Sequence, residues 1–257
     1  MVYDITTERF SRLTLLMGEE GLNKLAHATV MVLGIGGVGA KCAETLARGG
    51  IGTLILVDKD TVELSNINRQ TVAYDSTIGR IKVEVMEEII KDINPDCEVH
   101  TKQVFLNRDN IEEVFSTLPH PDYVIDCIDT VTAKLSVYEW CAAQDLPLLS
   151  SMGAANKFDP SLLTFEQIEQ TVNCPLSKVI RRECRRKGIH HLEVLYSTEL
   201  PVKLDHGGSS IKSETLGTMS YMPPMMGMML ASKAIRRLAG LENYQNKLTL
   251  NKDDTID

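Results

Sequence analysis

Thr29-Val30-Met31-Val32-Leu33-Gly34-Ile35-Gly36-Gly37-Val38-Gly39 decides the fold. Five β-prone residues run into three glycines spaced Gly34, Gly36 and Gly39, and a helical stretch follows through Arg48. A strand, a tight glycine turn and a helix in that order let the backbone approach a phosphate. The first turn of the helix then points its free N–H groups and its positive dipole end at the same place. A second apolar run, Thr53 to Val57, ends in Asp58, one helix and one return after Gly39. That interval predicts a βαβ unit with two parallel strands.

Further out the rhythm continues. Asp109–Ser116 reads as a helix before a buried strand at Asp122–Asp126, and Val131–Ala143 reads as a helix before a strand at Leu146–Ser150. The alternation predicts a Rossmann-like, doubly wound α/β fold with a mainly parallel sheet. Two amphipathic helices, Thr7–Met17 and Glu19–His27, precede the first strand as an N-terminal helical extension, residues 1–28. The nucleotide-binding core is expected over residues 29–157. Beyond it the rhythm breaks into a C-terminal α+β extension, residues 158–257, expected to pack with the core as one domain. This extension holds a strand near Leu162–Phe165, a basic helix over Pro175–Lys187, a strand at Glu193–Ser197 and a polar stretch, Lys203–Glu214, expected to be a mobile loop. Met219–Ile235 is rich in methionine, but Pro223, Pro224 and Lys233 interrupt it, so a buried helix is expected and membrane association is not.

Composition agrees. The 257 residues include 27 Lys plus Arg against 35 Asp plus Glu, a net charge of −8, with 43% hydrophobic residues, which excludes a disordered chain. Six cysteines without a Cys-x-x-Cys pair support neither a zinc ribbon nor a disulfide scaffold, and a polar N-terminus lacks the features of a signal peptide. A cytoplasmic setting follows as the expectation.

A carboxylate at Asp58 can accept both hydroxyls of a ribose, and this with the glycine turn suits NAD as well as ATP. What separates the two lies in Leu64-Ser65-Asn66-Ile67-Asn68-Arg69-Gln70 and in Lys82. Arg69 can fork onto a phosphate, Lys82 can place a point charge beside phosphorus and Asn66 can donate a neutral hydrogen bond, a set that suits a triphosphate being split. Taken alone, a lysine in Arg80-Ile81-Lys82-Val83-Glu84 is an ordinary solvated helix residue. Asp126 and Asp129 sit where the next strand leaves the sheet, the ligand edge of such folds, and one of them can hold Mg²⁺. The plain alternative for Asp129 is a cap on the helix that follows.

These residues resemble the ubiquitin-activating-enzyme-like adenylyltransferases: Arg9-Phe10-Ser11-Arg12, Gly34 to Gly39, Asp58-Lys59-Asp60, Asn66 to Gln70, Lys82 and Asp126-Cys127-Ile128-Asp129 stand in that family's order. Within the family the resemblance is to the branch that dehydrates threonylcarbamoyladenosine in tRNA. It extends through Ser150 to Lys157, Asp159-Pro160, Pro175 to Arg181 and Tyr196 to Glu199. The resemblance implies ATP and Mg²⁺. It places the Gly37 backbone at the phosphates, Asp58 at the ribose within the Asp58-Lys59-Asp60 motif, Asn66, Arg69 and Lys82 on the phosphates, and Asp129 on the metal. It also implies a homodimer in which Arg12 reaches the partner's site, and a tRNA partner, with no role for DNA.

Departures from the wider family favour the same branch. No cysteine follows Cys184, which speaks against a thioester relay, and Thr130 stands where sulfur-carrier activators carry Asn. The alternative is an adenylyltransferase acting on the C-terminus of a small sulfur-carrier or ubiquitin-like protein, beside a cysteine desulfurase or other sulfur-acceptor system. Lys178, Arg181, Arg182, Arg185, Arg186 and Lys187 place six cations against Glu183 in ten residues of an acidic chain. The first five are candidate RNA contacts, weighed against an ordinary solvated helix face.

Overall fold

The computed structural model describes residues 8–204 and 216–251. Two runs of almost unbroken apolar residues, β1 (Thr29–Leu33) and β2 (Thr53–Asp58), take the middle of a sheet because both of their faces can be buried. Each fully buried Val, Leu or Ile contributes roughly 1.5–3 kcal/mol, so strands of this kind belong under helices on either side. The sheet has seven strands in the order β3 (Glu98–Gln103), β2, β1, β4 (Tyr123–Asp126), β5 (Leu148–Ser151), β8 (Glu193–Ser197), β6 (Leu163–Gln167). Every neighbouring pair is parallel except the last, β6 with β8. The order reverses between β1 and β4, which opens a crevice at their carboxyl ends. A separate two-stranded pair joins β7 (Ile189–His190) to β9 (Thr249–Leu250).

One face of the sheet is covered by α2 (Gly39–Arg48), α3 (Lys82–Ile93) and α7 (Met222–Leu238), the other by α4 (Ile111–Ser116), α5 (Val131–Ala143) and α6 (Pro175–Lys187). Small residues bring α7 unusually close to α2. A Cβ on Gly227 would stand 2.2 Å from the carbonyl oxygen of Val38, so this crossing requires glycine. Met222, Met226 and Leu230 are buried there, as the methionine-rich stretch predicted, with Pro223 and Pro224 in the first turn where they cost no hydrogen bond. Among the described residues no helix is long and apolar enough to cross a membrane.

The N-terminal helices come as one element, α1 (Ser11–His27), broken at Gly18, whose φ of 75° interrupts it between the two expected segments. Thr7 and residues 205–214 of the polar stretch lie outside the described residues. The edge strand β3 and the short β7 and β9 were not anticipated. The four middle residues of β3 are half-buried polar or β-branched groups, and two-residue strands have no periodicity to read.

Candidate nucleotide site

The three motif glycines meet different constraints. Gly34 has φ 85°, and a Cβ on Gly39 would lie 1.8 Å from the Gly34 carbonyl oxygen, so these two close the turn and seat α2 on β1. Gly36 faces open space: the nearest group to its missing Cβ is the Gln70 amide nitrogen at 4.0 Å. Gly37 is covered by Pro223 of α7 and by Arg69. The turn therefore leaves one flank open at the start of α2, where backbone N–H groups can meet an anion.

At the end of β2, Asp58 accepts the Ile35 N–H (2.5 Å) through one carboxylate oxygen and the Asp60 N–H (2.7 Å) through the other. It thus holds the glycine turn and keeps further lone pairs for hydroxyl donors. Burial raises the Asp58 carboxyl above its ordinary value, and the Asp60 N–H, the Lys82 charge and the Ile35 N–H offset this only in part. Asp60 moves the other way. Burial pushes it up, but the Lys59 and Lys82 ammonium groups outweigh that effect and hold it below its ordinary value.

Lys82 begins α3 and is 6% exposed, which corrects the solvated-helix expectation for a lone lysine. Its ammonium lies 3.4 Å from Asp60, a long contact. Asn66, also 6% exposed, ends a short 3-10 turn, Leu64–Asn66, and accepts the Glu63 N–H. Arg69 is half-buried and donates to the Ser65 carbonyl oxygen (2.9 Å) and to Asn68 (2.8 Å). Asn68 in turn donates to the Thr218 carbonyl oxygen, tying this turn to the segment before α7. Gln70, quoted in the motif but given no role, is buried with its amide oxygen unpartnered.

After β4 the two acids separate. Asp126 is fully buried and bonded to the Lys134 ammonium (2.7 Å), the Ser150 hydroxyl (2.7 Å) and the Ile128 N–H (3.0 Å). Ser150 also meets the Tyr138 hydroxyl at 2.7 Å. Asp126 is thereby committed to the interior and does not serve the crevice. Asp129 is exposed, accepts the Thr130 hydroxyl (3.2 Å), and does not cap α5, whose N-cap is Thr130 with no side-chain cap bond. Lys134 was missed by sequence reasoning. A lone lysine in the apolar helix Ala133-Lys134-Leu135-Ser136-Val137, preceded by an acid in a buried strand, is the signal that finds it.

The remaining expected residues stand elsewhere, on α1 and α6. Arg12 is exposed on the first turn of α1. The basic helix α6 keeps its expected bounds but splits its cations. Lys178, Arg182, Arg185 and Arg186 are exposed, whereas Arg181 turns inward to the Thr171 carbonyl oxygen (2.6 Å) and hydroxyl (2.8 Å). Grouping Arg181 with the outward face is corrected by that anchor.

Glycine turn, ribose-type acid, phosphate-type cations and an exposed carboxylate at one sheet edge define a nucleotide-binding α/β enzyme of the adenylate-forming kind. The chain belongs to the ThiF family, whose pattern matches residues 10–256. It is 45% identical over 195 residues to a tRNA threonylcarbamoyladenosine dehydratase of Bacillus subtilis, covering 76% of each chain. It is 35% identical over 207 residues to the Escherichia coli enzyme of that name, covering 77% of this chain and 76% of that one. The structure of that E. coli enzyme in complex with ATP superimposes with a TM-score of 0.84 at 30% identity, covering 94% of this chain and 98% of the other.

Proposed function

We propose that the protein dehydrates threonylcarbamoyladenosine in tRNA with ATP, by activating the threonine carboxylate as its acyl-adenylate. The observation that carries this reading is the crevice itself. It offers an open glycine flank, Asp58, Asn66, Arg69, Lys82 and Asp129, and the thiol that borders the glycine turn, Cys127, is half-buried. All six cysteines are unpaired; Cys127 is half-buried and the other five are buried. Burial pushes the thiols of Cys97 and Cys184 up to about 12 and that of Cys127 well above its ordinary value. A reaction that closes within the substrate needs no enzyme nucleophile.

In this reading Asp58 receives ribose hydroxyls, and the N–H groups beside Gly36 and Gly37 receive phosphate oxygens. Arg69 and Lys82 supply positive charge where the bond to pyrophosphate breaks, the interaction that strengthens as charge develops. The activated carbonyl is then attacked by the carbamoyl group of the same molecule, releasing AMP and leaving the nucleoside one water lighter. Magnesium fits as well: Asp129 is a hard, exposed oxygen ligand, sufficient where triphosphate oxygens and waters complete the shell. When bound there, the ion would neutralise the departing pyrophosphate.

Residues 1–28 are the dimer element of this proposal. Arg12 stands with Leu15 and Leu16 on one exposed face of α1, the two leucines 82% and 84% exposed, which a second copy would cover. Mixing Arg12→Ala with Asp58→Ala protein restores part of the activity if Arg12 acts across a dimer, and no recovery excludes that role. Six unpaired cysteines suit a reducing cytoplasm.

Incubation with ATP, Mg²⁺ and tRNA carrying threonylcarbamoyladenosine, followed by digestion and mass measurement, tests the activity. Loss of one water only with ATP supports it. No mass change, with pyrophosphate released only on addition of a diglycine-tailed carrier protein, assigns the chain to sulfur-carrier activation beside a cysteine desulfurase instead.

A further inference from the structure

A groove of about 490 Å³ lies between α5 and α6 and is bordered by the turn Asn107–Asp109 that follows β3. Its floor includes Val131, Thr132 and Ser136 of α5, so it begins two residues from Asp129 and runs along α5 to Glu139. That is two helical turns, about 12 Å. The wall contributed by α6 carries Arg182 and Arg186. Both guanidinium groups are held by the single carboxylate of Glu183, each at 3.0 Å, while their side chains remain 75% and 62% exposed. Glu183 fixes two forks side by side and leaves N–H groups of each pointing outward. Lys187 is neutralised by Glu139 at 2.6 Å, and Arg108 stands exposed on the opposite rim. Lys178 and Arg185 extend the same face of α6, and the cations outnumber the acids here on a chain of net charge −8.

We propose that this groove is a phosphate track for the RNA on either side of the reacting nucleoside, with Arg182, Arg186 and Arg108 as its contacts; the assignment rests on the tRNA reading above. A reacting group embedded in a polynucleotide brings its neighbouring phosphates to the site with it. Among the described residues the groove is a cationic surface that begins two residues from Asp129 and leads away from it. Fixed guanidinium forks suit phosphate oxygens, and Asn107, Thr132 and Ser136 add neutral hydrogen-bonding groups without demanding a base sequence. Arg181, turned inward, takes no part.

The test compares wild type with Arg182→Gln/Arg186→Gln, with Arg108→Gln, and with Arg48→Gln at the far end of α2 as a control. For the double variant the Kd for tRNA should weaken on the order of tenfold, and the slope of log affinity against log salt should fall by roughly 0.7–0.9 for every phosphate no longer neutralised. Arg108→Gln should show the same effects at about half the size. ATP affinity, thermal stability and turnover at saturating tRNA should match wild type in both, and Arg48→Gln should change nothing. Wild-type dehydration of the modified tRNA with unaltered Kd and salt slope in both groove variants overturns the track while leaving the activity standing. Absence of dehydration by wild type overturns the activity and the track together.

Discussion

After β2 the buried lysine, Lys82, meets the outer acid of its loop, Asp60, at 3.4 Å; after β4 the buried lysine, Lys134, meets the inner acid, Asp126, at 2.7 Å. The two loops use similar parts: an inner acid at the strand end, an outer acid two or three residues on, and a lysine on the helix that follows. Lys134 also donates to Ser150 and to the Ser151 carbonyl oxygen, so its three protons are spent and both members of its pair are 0% exposed. Lys82 faces an acid that is 46% exposed and keeps the rest of its hydrogen-bonding capacity. A lysine whose partners fill its shell holds the backbone together. A lysine with one long contact has hydrogen-bonding capacity left, which in the proposed reaction goes to a phosphate. The difference teaches that burial alone does not separate structural from functional charge; the completeness of the shell does.

That contrast breaks most visibly at Lys134. Lys134→Met leaves the Asp126 carboxylate buried without its cation and should cost about 3–5 kcal/mol in chemical denaturation, with part recovered by adding Asp126→Asn. If stability is unchanged, the pair is not holding β4 to β5. Lys82→Met keeps the buried stem and removes the charge. Stability should move by less than about 1 kcal/mol, because its partner is solvated, while pyrophosphate release should fall on the order of 100- to 1,000-fold. A large loss of stability with modest loss of turnover would make Lys82 the structural twin of Lys134. Asp129→Ala should leave the melting curve intact and raise the Mg²⁺ requirement for turnover on the order of tenfold or more; an unshifted requirement removes the metal assignment.

The smallest effect concerns acid. Asp60 is held below its ordinary value of 3.8, so its contribution to stability is complete above that value and is lost as pH falls through the lowered one. Asp58 is held above 3.8, so it contributes in the opposite sense, favouring the folded state at low pH and less as pH rises through its folded value. Asp60→Asn should therefore flatten the rise of stability with pH below about pH 4, and Asp58→Asn should remove a loss of stability with rising pH that sets in above about pH 4. Identical slopes in both variants would show that neither acid feels its surroundings as described.

Much of this arrangement was legible in the chain because it is local. Gly34 to Gly39 and Asp58 are spaced by one helix, and α6 carries its own punctuation in Pro175 and Gly188. What stayed hidden depends on proximity in space. Asp126 and Asp129 read alike as metal candidates until Lys134, on the next helix, claimed the first. Arg181 and Arg182 are adjacent letters, yet a 100° step turns one to Thr171 and leaves the other in solvent. The strand β3 escaped because an edge position half-buries its polar residues and erases the apolar run that marked β1 and β2.

The contact between Pro223 and Gly37 joins positions separated by most of the chain. The glycine turn, its strand and its helix are consecutive in the chain, but the wall that α7 gives to that turn comes from far along it. Removing residues 222–238 would therefore expose the apolar flank of α2 and strip the glycine turn of its Pro223 wall in a single cut, so the turn depends on a helix that no local reading of its own motif contains.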